Sequence, residues 1–335
     1  MRGPILEFDG NQRRHVLNVQ QQFAAWREDR RALRRIGGMH WKTGGNGQRY
    51  LYATNGRKEK SLGVKSEETE AIYKAHGDRV EELRARIEKS ADLLDRSARV
   101  SKALYLGRVP TIAAKILRKL DDEGWLDGQL MVAGTNALFA YEFGTGVLVG
   151  EDLIATEDLD LLWDPRHRLS FVSADESSVS VLGLIKQVDR SFRKRRPYQA
   201  INDDSYLVDV IRPVQPNEMF KEPPKLTKGA DEFDPSPIEG LAWLVSAPRY
   251  EQIAIAEDGW PVRIVTIDPR AYALHKVWLS KRSQRESLKR RRDLAQAKAV
   301  AELAVHWLNL RFDGSDLSAL PVELLDGMAE LKGLT

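Results

Sequence analysis

Residues 157–163 read EDLDLLW, and this stretch decides the fold. Leu159, Leu161 and Trp163 alternate with Asp158 and Asp160, the period of two expected of a β-strand with one face in a core. On such a strand Asp158 and Asp160 share the other face, roughly 6.6 Å apart along the chain. Acids aimed together at one spot repel each other, and a bound divalent cation removes that repulsion. Two carboxylates on a rigid strand are a common way to hold Mg²⁺, which prefers oxygen ligands. Glu157 alternates to the opposite face and reads as solvated. Asp164, one residue past Trp163, reads as the cap of the following turn.

Two flanking segments complete the pattern. Downstream, SYLVDVIRP (205–213) places Asp209 between Val208 and Val210, on the strand face of Leu207 and Ile211. A carboxylate on an apolar face is costly unless it is paired or metal-bound. Two metals held about 3.5–4 Å apart for in-line displacement call for a third acid, and Asp209 is the best candidate. Upstream, the short apolar strand of GQLMVAG (128–134) runs into Gly134-Thr135 and then a helix, TNALFAYE (135–142). A glycine there lets a phosphate approach the backbone, with Thr135 and the helix N-terminus as donors.

The order strand, Gly-Thr, helix, Asp-x-Asp strand and later strand Asp resembles the nucleotidyltransferase-fold superfamily of DNA polymerase β. The resemblance implies that Gly134 and Thr135 grip a nucleoside triphosphate and that Asp158 and Asp160 bind Mg²⁺ or Mn²⁺. It implies for Asp209 a share in metal binding and in activating the acceptor. The usual Gly-Gly or Gly-Ser pair is here Gly-Thr, which keeps a hydroxyl, and residues 144–155 lengthen the gap between motifs. Beyond this core the chain resembles stand-alone bacterial members related to the abortive-infection toxins. Those follow the core with a basic helical region, matched here by DPRAYALHKVWLSKRSQRESLKRRRDLAQA (268–297), and MHWKTGGNGQRYLYATNGRKEKSLG (39–63) resembles their front end.

The expected fold is therefore α+β: a nucleotidyltransferase-type mixed sheet with helices, a helical region with a small β-meander before it, and a helical region after it. The expected divisions are 1–125 (meander at 39–62), 126–267 and 268–335. Helices are predicted over 16–36, over 66–120 with a break at Gly107 and Pro110, and over 178–192, 268–283, 285–308 and 319–332. Strands are predicted at RLSFV (168–172), PYQAIND (197–203), QIAIAED (252–258) and PVRIVTI (261–267), and a long loop over 213–240.

Charge and composition narrow the function classes. The 335 residues carry 52 Lys+Arg, 49 Asp+Glu and no Cys, which excludes disulfides, thiolate metal sites and cysteine nucleophiles. The six His show no HxxxH spacing for zinc. No run of roughly 18 uncharged apolar residues would span a membrane, and the opening MRGPILEFDG lacks a leader-like apolar core, so a cytoplasmic protein is expected. Residues 1–120 hold 26 basic and 14 acidic side chains, a net +12, whereas 121–240 hold 12 and 23, a net −11. In the C-terminal helices Lys276, Arg282 and Lys289 are candidates to pair with triphosphate oxygens, and Asp293 is a candidate internal partner for one of them. In the meander Trp41, Tyr50 and Tyr52 interleave with Lys42 and Arg49, a pattern able to stack bases and follow a phosphate backbone, or to pack and solvate the hairpin.

The expected activity is metal-dependent transfer of a nucleoside monophosphate from an NTP to an acceptor hydroxyl, with RNA, a tRNA end, a protein or a small molecule open as acceptor. Two alternatives use the same residues: a non-catalytic nucleotide- or RNA-binding module of a toxin–antitoxin type, and a metal-dependent glycosyltransferase, which also employs Asp-x-Asp.

Overall fold

The computed structural model describes residues 6–55, 58–167, 180–215, 226–227, 229, 231–312, 317 and 320–331. After a two-residue strand β1 (Leu6–Glu7), helix α1 spans Gly10–Ile36. It begins six residues before the predicted start because Asp9 accepts the Asn11 and Gln12 backbone N–H groups, while the Gln12 side chain accepts the Asp9 N–H. The meander is a three-stranded antiparallel sheet of β2 (Gly38–Thr43), β3 (Arg49–Asn55) and β4 (Lys58–Val64). Helix α2 (Glu67–Ala103) then returns antiparallel to α1, with Arg86 paired to Asp29, Ser97 bonded to Gln22 and His15 to Ser101.

Helix α3 (Thr111–Asp122) leads into the mixed sheet, whose strands are β5 (Leu130–Val132), β7 (Asp158–Trp163), β8 (Arg193–Arg196), β9 (Gln199–Ile201), β10 (Leu207–Pro213) and β11 (Ser236–Ile238). The order is β5-β7-β10-β9-β8, with β11 alongside the end of β10. Strands β7 and β10 are parallel, and Asp209 stands opposite Asp160 in their register. Helix α4 (Leu138–Thr145) follows a single 3₁₀ turn at Thr135–Ala137. The stretch 144–155 contains β6 (Val147–Leu148), paired with β1, and helix α5 (Glu151–Ile154).

Helix α6 covers Val181–Val188 rather than 178–192, because Asp189 turns extended and takes the Ser191 backbone N–H and hydroxyl. The four cations that follow form β8. The predicted loop at 213–240 gives way to β11 and then to helix α7 (Leu241–Ser246). The predicted strand at 168–172 lies outside the described residues.

The hairpin β12 (Arg249–Ile255) and β13 (Pro261–Ile267) turns at Asp258-Gly259 as predicted. Gly259 has φ +83°, and a Cβ there would strike the Ala98 backbone, so the bare turn is what lets the hairpin tip seat on α2. Helices α8 (Pro269–Ser280) and α9 (Ser287–His306) pack against each other. The last predicted helix is a short α10 (Val322–Leu325) continued by a 3₁₀ segment at Asp326–Leu331. One buried apolar cluster runs from Phe8 to Leu331 and takes Leu159, Leu161, Val208 and Val210 from the hidden face of the sheet. Among the described residues no helix is long and apolar enough to cross a membrane.

Candidate active site

The visible face of β7 and β10 carries the acids. Leu159, Leu161 and Trp163 are buried, which leaves Asp158 and Asp160 facing the other way. The parallel register sets Leu207 beside Asp158 and Asp209 beside Asp160, so three carboxylates share one face of two hydrogen-bonded strands. Asp160 is pushed up to about 7, first by desolvation and next by the charges of Asp158 and Asp209, against the pull of Lys276 and Arg285. Asp209 is also raised, chiefly by desolvation, although Gln199 Nε2 donates to its Oδ1 at 2.7 Å. Asp158 Oδ1 accepts from the Thr156 hydroxyl, and the Asn136 amide donates to the Asp158 carbonyl at 2.7 Å.

Gly134 closes one side. Its φ is +61°, and a Cβ on it would overlap Asp160 Oδ2, so Asp160 lies against bare backbone. Tyr272 reaches over from α8 and donates its hydroxyl to the Gly134 carbonyl at 3.0 Å. From α9, Gln296 Nε2 donates to the Leu153 carbonyl at 2.6 Å and to Thr135 Oγ1 at 3.4 Å. The Arg292 guanidinium donates to the Leu153 and Ala155 carbonyls. The two C-terminal helices are thereby fastened to the strand-to-helix turn at 134–135.

Between these parts is a cavity of about 660 Å³, within the range of small-molecule sites. Gly134, Thr135, Asp158 and Asp160 line one wall, and Lys276, Arg285, Lys289 and Arg292 another. Lys276 is buried, and its Nζ lies 2.8 Å from Asp293 Oδ1, with Arg285 paired to the same carboxylate. Burial lowers the Lys276 ammonium from its ordinary value while Asp293 opposes that loss of charge. His275, beside it, is held neutral by burial, at about 3.

The sequence-predicted residues fall into three places. Asp158, Asp160, Gly134, Thr135, Lys276 and Lys289 line the cavity, and Asp209 stands one strand over from Asp160 without forming part of that wall. Arg282 lies outside it, with its guanidinium 4.6 Å over the Trp278 ring and paired to Glu239. Trp41, Lys42, Arg49, Tyr50 and Tyr52 are all on the meander, also outside the cavity. There Arg49 lies 5.6 Å over Trp41, Lys42 lies 5.3 Å over Tyr52 and pairs with Glu59, and Trp41 packs on Tyr73 of α2. The Tyr50 hydroxyl bonds Asn46 and Gln48. Asp293 is the internal partner of Lys276, Asp164 caps its turn by accepting from Arg166, and Glu157 is exposed on the cavity rim. Sequence reasoning missed Tyr272, Arg285, Gln296 and Gln199. Tyr272 and Gln296 come from helices whose contact with the 134–135 turn is tertiary, Arg285 from the turn between those helices, where Asp293 holds it, and Gln199 is placed only by strand register.

The donor set suits a divalent cation in charge and in strand placement: three oxygen-bearing carboxylates on one face, one of them driven toward protonation by desolvation and then by the other two. Among the described residues no group of three acids or histidines stands close enough together to hold a metal, since Asp158 is turned to Thr156 and Asp209 to Gln199.

No curated protein and no solved structure matches the chain. A family profile described as nucleotidyltransferase matches residues 111–321, from α3 to the residue before α10. That span takes in the Gly134 turn, all three carboxylates and both helices of the cationic wall, and on it the chain belongs to the nucleotidyltransferase family.

Proposed function

We propose that the protein moves a nucleoside monophosphate from an NTP to an acceptor hydroxyl in a reaction that depends on Mg²⁺ or Mn²⁺. The observation that carries this reading is the pairing of an acid-bearing strand face with a cation-bearing helical wall across one cavity. Lys276, Arg285, Lys289 and Arg292 take the anionic triphosphate. The Gly134 turn gives its phosphates access to the backbone and to the Thr135 hydroxyl, and Tyr272 keeps that turn in place. A divalent cation held by Asp158 and Asp160 would neutralise charge at the α-phosphate. Asp209, raised by desolvation and oriented by the Gln199 amide, accepts the proton of the acceptor hydroxyl. The acceptor oxygen bonds to the α-phosphorus as the bond to pyrophosphate breaks.

The test supplies each α-labelled NTP with Mg²⁺ or Mn²⁺ and, in separate reactions, total RNA, protein and small-molecule fractions of a lysate. RNA is the first acceptor to try. Label transfer is expected, lost in Asp160→Asn and kept in Glu81→Ala on the exposed side of α2. Transfer that survives Asp160→Asn overturns the reading. Transfer from a labelled UDP-sugar in place of an NTP points to a glycosyltransferase.

A further inference from the structure

The row that the acids begin continues past Asp209. In the antiparallel pairing of β9 with β10, Asp209 stands opposite Gln199, and in the pairing of β8 with β9, Gln199 stands opposite Arg196. Paired residues of neighbouring strands project to the same side of a sheet, so Asp160, Asp209, Gln199 and Arg196 form one row across four strands. Strand spacing of about 4.8 Å places Arg196 roughly 10 Å from Asp209. Strand β8 reads Arg193-Lys194-Arg195-Arg196 and ends the sheet, and Arg193, Arg195 and Arg196 are exposed. A register shift between Lys194 and Arg196 makes Arg195 the extra residue of a bulge, and both Arg195 and Arg196 act electrostatically on Asp209.

Four consecutive cations on an edge strand repel one another. Arg193 answers to Asp203 and Lys194 to the Glu232 carbonyl, whereas the Arg196 guanidinium donates to the neutral Tyr198 hydroxyl. The charge is thus concentrated on Arg195 and Arg196, at the end of the row nearer Asp209. The triphosphate cations Lys276 and Arg285 act on Asp160 instead, at the row's other side.

We propose that β8 is the docking edge for an anionic acceptor, the phosphate backbone of a single-stranded RNA, whose terminal hydroxyl is thereby presented to Asp209. This rests on the reading of Asp209 as the residue that receives the acceptor's proton. Donor and acceptor then approach the carboxylate row from opposite sides, each held by its own cations. Spaced guanidinium groups suit a chain of phosphates, which neutralises them without a fixed base sequence.

The experiment measures binding of a 5′-labelled twelve-nucleotide single-stranded RNA by fluorescence anisotropy across a salt series. Wild type is compared with Arg195→Glu/Arg196→Glu and with a control of equal charge change on α2, Arg84→Glu/Lys89→Glu. The β8 variant is expected to bind at least about tenfold more weakly, with a salt slope shallower by about 1.4, from roughly 0.7 per lost phosphate contact on a single strand. The control is expected to bind like wild type, and Arg195→Lys/Arg196→Lys to retain binding. Equal loss in the β8 variant and the control overturns the proposal, as does unchanged binding in the β8 variant or tighter binding of an acidic peptide than of RNA. Failure here with Asp160-dependent label transfer intact sinks only the docking edge. RNA binding through β8 with no transfer from any NTP sinks the proposed activity instead.

Discussion

Gly134 and Asp160 are the pair on which the site turns. The glycine is needed twice, for a backbone at φ +61° and for room beside the Asp160 carboxylate. Gly134→Ala is expected to cost at least about 1–2 kcal/mol in stability from the left-handed backbone alone. By displacing Asp160 it should also slow transfer by about 100-fold. Urea denaturation and initial rates separate the two effects. Asp160 itself makes stability depend on pH. Its folded value, about 7, lies above the ordinary 3.8, so folding takes up a proton between these values. Stability falls as pH rises through that window, and the penalty, at most about 4 kcal/mol, is complete above pH 7. Asp160→Asn should therefore melt higher than wild type at pH 8 and about equally at pH 4. Mg²⁺ should raise the melting temperature of wild type at pH 8 and leave the variant unmoved.

At the scale of elements, α8, α9 and the turn between them build the cationic wall around a single buried carboxylate. Asp293 is almost fully covered and bonds both Lys276 and Arg285. Asp293→Ala leaves the buried Lys276 ammonium without its counter-charge and is expected to destabilise the fold by about 3–5 kcal/mol. The double change Lys276→Met/Asp293→Leu should recover much of that loss while still weakening triphosphate binding. Calorimetric titration with inorganic tripolyphosphate distinguishes the two outcomes.

Elements were legible in the sequence where local pattern decides them. Alternation marked β7 and β10, Asp258-Gly259 marked the β12–β13 turn, and the acids and Gly134 followed from spacing. Helix α6 was overextended because its apolar stripe continues to Phe192, whereas the Asp189 side chain bonds to Ser191 and turns the chain. Strand β8 gave no alternation to read, since all four of its residues are charged. Tyr272 and Gln296 are placed by helices docking onto the Gly134 turn, which no local spacing records.

Across the whole molecule, the opposed charges of 1–120 and 121–240 are partly a folding device. Arg27 and Arg263 share Asp121, Arg30 pairs with Asp122, and Arg108 meets the buried Glu142. The first of these fasten α1, α3 and the hairpin strand β13 to one another, the last ties the segment before α3 to α4, and together they use up part of the +12 on residues 1–120. What remains on the acidic side is the carboxylate row, with cations on both flanks. The most direct test of that row as a nucleotidyl-transfer centre is a pair of parallel reactions with α-³²P- and γ-³²P-labelled NTP. Label is expected in the acceptor from the α position alone, only with divalent metal, and not with Asp160→Asn whose fold is intact by melting. Acceptor labelled from the γ position, or α-label transfer undiminished in Asp160→Asn, would contradict it.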